Sequence, residues 1–154
     1  MVHPGDLERI ARELTERSQR LRQSIISTKR ALSEAVQDLN ESIDEMKSCQ
    51  ERKQWLENML ANLRTSVAVA KTTEEREDFE DEIEEWEDEQ REENEHMEFL
   101  VREHSQMLSH RKMLLTTLVA LGRQFILVRQ RERLLVAAAM RLGVVRLNRI
   151  KQVA

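Results

Sequence analysis

The sequence predicts an all-α protein: a long coiled-coil helical hairpin of two antiparallel helices, belonging to a multi-helix bundle with partner subunits. Three observations carry this. Helix breakers are nearly absent, with one Pro and three Gly in 154 residues, no Tyr and 35% charged residues, a composition of long helices rather than of an ordinary globule. A 3.5-residue apolar repeat runs from Leu7 to Ala70. A helix-start signal, Thr72-Thr73-Glu74-Glu75, then interrupts the chain near its middle.

Residues 1–6 are expected to be a flexible lead, with Pro4 and Gly5 outside the helix and Asp6 as its N-cap. Helix 1 is expected over 7–71. Its d positions are Leu7, Leu14, Leu21, Thr28, Ala35, Ser42, Cys49, Leu56, Leu63 and Ala70. Its a positions are Ala11, Ser18, Ile25, Leu32, Leu39, Met46, Lys53, Leu60 and Val67. Leu, Ile, Val, Met or Ala fill most of them. Ile10, Val36, Ile43 and Met59 add apolar bulk on the flanks, which widens the stripe beyond a two-stranded seam.

Helix 2 is expected over 72–136, because Thr72 and Glu75 have capping-box spacing and the acids that follow suit the positive end of a helix dipole. Its seam is Phe79, Ile83, Trp86, Gln90, Glu93, Met97, Leu100, His104 and Met107. A fold-back at 71–73 pairs Leu56 with Trp86, Leu60 with Ile83 and Met46 with Met97. It also places Lys53 opposite Gln90 and Glu93, and Ser42 near His104. Matched polar layers fix register and avoid burying a polar group without a partner. A single unbroken helix in a parallel homodimer would instead set Lys53 on Lys53 and Glu93 on Glu93.

Charge is divided along the chain. Residues 1–73 carry 12 basic and 11 acidic residues, and 74–103 carry 17 acids against Arg76, Arg91 and Arg102. Residues 104–154 carry ten bases against Glu132 alone. Like charges four apart, such as Glu74 with Asp78, repel along a helix, so the acidic block is expected to face a partner surface. Residues 113–128, MLLTTLVALGRQFILV, are apolar on every side of a helix, which normally means burial by several neighbours. The expected partner-binding residues are Leu114, Leu115, Leu118, Val119, Leu121, Phe125, Ile126 and Val128. Gly122 among them could mark a kink or a close helix approach. The 137–154 extension is basic, and Arg129, Arg131, Arg133, Arg141, Arg146, Arg149 and Lys151 are the expected electrostatic contacts.

No catalytic, cofactor or metal site is expected. Glu93-x-x-His96 has the spacing used in carboxylate-bridged di-metal bundles, but neither His104 nor His110 supplies the second motif. Cys49, on the seam, reads as a small buried hydrophobe. There is no phosphate loop and no nucleophile elbow, so an enzyme is not expected. A single cysteine and the lack of a secretory leader point to the cytoplasm, with cytoskeletal association, or to the nucleus. The expected role is a structural or scaffold subunit of a cytoskeletal, microtubule-, axoneme- or kinetochore-type assembly. Its partners would be other coiled-coil subunits, in a hetero-assembly or a homo-oligomer, or an acidic protein surface. The rival is an adaptor that binds nucleic acid or membrane through 129–151.

Overall fold

The computed structural model describes residues 3–141, and all of its regular structure is helical: α1 spans Pro4–Ala68 and α2 spans Thr73–Arg141. α1 begins earlier than the sequence suggested. Asp6 and Leu7 donate their backbone N–H groups to the His3 carbonyl at 3.0 and 3.3 Å. His3 thus carries the cap, and Pro4 opens the helix where its missing N–H costs nothing. Asp6 lies in the first turn instead, 3.8 Å from Arg9 in an exposed pair.

The break between the helices is chemically explicit. Ala70 N–H bonds the Val67 carbonyl at 3.3 Å, a tightened last turn. Thr72 Oγ1 then accepts from Glu75 N–H at 3.1 Å, and the Glu75 carboxylate accepts from Lys71 N–H at 3.3 Å. The reciprocal pair is a capping box, with the carboxylate reaching one residue further back than usual. One unbroken helix is therefore not what this sequence forms.

The chain divides into two compact units, one from Met1–Glu34 with Arg111–Ala154 and the other from Ala35–His110. In the second unit Ala35, Leu39, Ser42, Cys49, Leu56, Leu60 and Leu63 are buried on α1, and Leu100 on α2. Cross-helix contacts run in opposite order along the two segments. Ser42 meets His104 at 3.1 Å, Cys49 meets the Glu93 carbonyl at 3.7 Å, and Arg52 meets Glu89 at 3.2 Å. Trp55 and Trp86 form an edge-to-face pair with centroids 5.4 Å apart. These are the contacts of a helical hairpin. The Ser42–His104 layer is as the sequence places it. The layer at Glu93 differs in detail: its cation is Arg52, at 3.3 Å, while Lys53 is half-buried on the seam.

In the first unit Leu7, Ala11, Leu14 and Leu21 of α1 form one core with Val128, Leu135 and Ala139 of α2. Leu121, Phe125 and Val136 pack against it. Ser18 and Glu132 are the buried polar residues of this unit.

Candidate functional site

The apolar run of α2 in the first unit has two faces. Leu114, Leu118, Leu121, Phe125 and Val128, then Glu132, Leu135 and Ala139, recur every three or four residues and are buried or half-buried. That periodicity is the inner stripe of an amphipathic helix. Met113, Leu115, Val119, Ile126, Leu127, Leu134 and Met140 lie outside it and are exposed, Leu134 by 67%. The eight residues expected at a partner interface therefore divide. Val128 is enclosed in the core of its own unit with Leu121 and Phe125 against it, Leu114 and Leu118 are half-buried, and Leu115, Val119 and Ile126 point outward. Sequence reasoning left out Met113, Leu127, Leu134 and Met140. Their signal was the complement of the inner stripe, readable once the three-four spacing was continued beyond Met107.

Basic side chains surround this outward face. Arg111, Lys112, Arg123, Arg131, Arg133 and Arg141 are exposed. Phe125, Ile126, Arg129, Gln130 and Arg133 line a groove of about 270 Å³. Arg129 Nη1 donates to Glu132 Oε2 at 2.8 Å, which draws that guanidinium partly inward. Arg146, Arg149 and Lys151, also expected as electrostatic contacts, lie outside the described residues. The Cβ position of Gly122 has open space to 4 Å, so among the described residues nothing packs closely on it.

Glu132 is only 1% exposed, and its Oε1 has no hydrogen-bond partner among the described residues. A carboxylate so placed gives up hydration that one guanidinium contact replaces in part.

The second unit carries the opposite charge. Residues 35–110 hold 23 Asp and Glu against 8 Lys and Arg, a net −15. The described residues of the first unit, 3–34 and 111–141, hold 14 bases against 6 acids, a net +8. Folding joins the basic end of α2 to the more basic half of α1, so the charge is sorted between the units much as it is between the blocks of the sequence.

The two flanks of the second unit differ. Arg52, which meets Glu89, has Glu45 and Asp38 at seven-residue steps along α1, and Glu103 lies two such steps beyond Glu89 on α2. Asp38, Glu41, Glu45 and Glu103 indeed share a groove of about 200 Å³ with Ser42 and Met107. On the other flank Arg64 meets Glu87 at 3.2 Å. Seven-residue steps from that pair reach Ile43 and Val36 on α1, and Val101 and Leu108 on α2. All four are exposed, by 40–50%. Over 36–45 and 101–108, therefore, one flank is acidic and the other apolar, whereas nearer the turn the second flank carries Gln50, Glu57, Arg64, Glu87 and Asn94.

Cys49 is buried and donates to the Glu93 backbone carbonyl. Burial first, then the hydrogen bond and charge of Glu93, push its thiol up to about 11. The thiol is thus held protonated, the opposite of what a nucleophile requires. Among the described residues no group of three or more His, Cys, Asp or Glu is arranged to hold a metal ion. Among them, too, no helix is long and apolar enough to cross a membrane. No protein-family profile, curated protein or solved structure matches this chain.

Proposed function

We propose that the protein is a non-enzymatic helical subunit that works by binding another helical protein through the outward face of α2 in its basic unit. The observation that supports this is the uncovered row Leu115, Val119, Ile126, Leu127 and Leu134, set among exposed arginines. Apolar side chains grouped on one face and rimmed by charge are the usual mark of a protein interface. Val119 with Ile126, and Leu127 with Leu134, each recur two helical turns apart, so they present two short neighbouring apolar strips rather than one coiled-coil seam. The expected cytoskeletal setting rests on composition alone and forms no part of the proposal.

The test replaces the outward residues only. Deleting 113–128 would also remove the inner stripe on which the unit's own core depends. A chain with Val119, Ile126 and Leu134 changed to Gln should keep the parent's helix content by circular dichroism. It should lose the proteins that co-purify with the parent from its native source. Co-purification that survives all three changes would overturn the proposal. The second reading, electrostatic binding to nucleic acid or anionic lipid, is favoured by the +8 balance of the same unit. It predicts binding to DNA or anionic vesicles that weakens steeply with salt and is indifferent to the Gln substitutions.

A further inference from the structure

We infer that the partner helix pair is a second copy of this chain, with the basic unit of one copy seated on the apolar flank of the acidic unit of the other. This rests on the interaction face proposed above and names its occupant. Three observations converge on it.

The first is charge. The two units of the same chain carry net −15 and +8 over the described residues. Most acids of the second unit lack a base within that unit, since 23 carboxylates share 8 cations there. Arg52 already serves two of them, at 3.2 and 3.3 Å. A surface of this sign favours a basic counterpart, and like-charged pairings of acidic with acidic unit are disfavoured.

The second is spacing. On the acidic unit the exposed apolar residues recur seven apart, as Val36 with Ile43 and Val101 with Leu108. On the basic unit Val119 with Ile126 and Leu127 with Leu134 recur at the same interval and are exposed as well. Seven residues are about 10 Å of helix, so the two surfaces present equal repeats and can interdigitate.

The third is the restriction to one side. The opposite flank of the acidic unit carries Asp38, Glu45, Arg52, Glu89, His96 and Glu103 along its seven-residue steps, and Met59 beyond Arg52. The Val36–Leu108 side carries four exposed apolar residues over the same stretch, so a helix pair with an apolar outer face buries more of that face there. The groove lined by Phe125, Ile126, Arg129, Gln130 and Arg133 sets the exposed Arg133 guanidinium beside apolar side chains, the chemistry that takes a Glu or Asp side chain next to an aliphatic one.

The experiment is sedimentation equilibrium of the full chain across a salt series, with two single substitutions. The parent should have the mass of two chains at low salt and move toward one chain as salt is raised. Ile126→Glu on the basic unit and Val101→Lys on the acidic unit replace exposed side chains, so both should retain parental helix content. Each should weaken self-association by roughly a hundredfold, since each sets a charge into an apolar contact. Mixing the two variants should restore a two-chain species, because one of its two contacts is then parental and the other sets the new Glu against the new Lys. A parent of single-chain mass at every salt concentration overturns the inference. So does a Val101→Lys variant that associates like the parent, or a mixture of two folded variants that stays single-chain. A single-chain parent whose co-purifying partners still depend on Val119, Ile126 and Leu134 would reject the second copy and leave the interaction face standing.

Discussion

Glu132 is the residue whose placement is most at odds with its chemistry. It continues the three-four stripe of α2 between Val128 and Leu135, and so it is carried into the core of the basic unit. Only Arg129 answers it there. Replacing a buried, incompletely paired carboxylate by an apolar side chain of similar size is commonly stabilising, by about 1–4 kcal/mol. Glu132→Leu should therefore raise the urea midpoint of the protein; a fall of similar size would show that the carboxylate is better satisfied than its geometry implies. Cys49 makes a second prediction at this scale. Its thiol is raised in the folded chain from 9.0 to about 11. The unfolded chain consequently loses its thiol proton first as pH rises, so stability is lost from pH 9 upward. Cys49→Ala should remove that alkaline loss in stability measured between pH 8 and 10.5. Cys49 lies on the seam that the sequence marks. Glu132 is not legible as a core residue, because carboxylates are almost never fully buried and a lone acid among ten bases reads as a surface charge.

At the scale of the element, the start of α2 depends on Thr72 and Glu75 bonding the backbone reciprocally. Thr72→Ala leaves the Glu75 N–H without its side-chain acceptor and should cost about 1 kcal/mol in denaturant unfolding. Gly122 is the converse case. It sits inside α2 with open space at its Cβ position, and no contact within the chain requires a glycine. Gly122→Ala should then stabilise by roughly 0.5–1 kcal/mol through the smaller entropy of the unfolded chain. A loss of stability would reveal a constraint the helix does not display. The helices themselves were legible: every a and d position assigned to α1 from Leu7 to Ala70 is buried or half-buried. Their N-terminal boundary was less so, because the His3 carbonyl caps α1 through the backbone and leaves no side-chain signature.

At the scale of the molecule, charge is sorted by unit. The acidic unit repels itself, and screening by salt should relieve that repulsion. The chain's two tryptophans, Trp55 and Trp86, form their pair inside this unit, so intrinsic fluorescence reports on it directly. The thermal midpoint followed by tryptophan emission should rise with added sodium chloride at protein concentrations low enough for a single-chain mass. A midpoint that falls would mean that the few ion pairs, Arg52 with Glu89 and Glu93, Arg64 with Glu87 and Arg91 with Asp88, outweigh the excess of carboxylates.

Sequence alone determined the all-helical class, the seam of α1, the break before Thr73 and the Ser42–His104 layer. Each of these follows from periodicity or from chemistry between residues a few positions apart, or from the arithmetic of one fold-back point. Tertiary structure decided which side of each helix is left uncovered. Leu114 and Leu115 are equally apolar as letters, yet one is half-buried and the other exposed, because only the pairing of α2 with α1 selects the inward stripe. The same pairing placed Val36 and Ile43 on one flank with Val101 and Leu108, residues some sixty positions apart that no local pattern joins. It also gathered 3–34 and 111–141 into one basic unit, a sum of charge that exists only after the chain has folded.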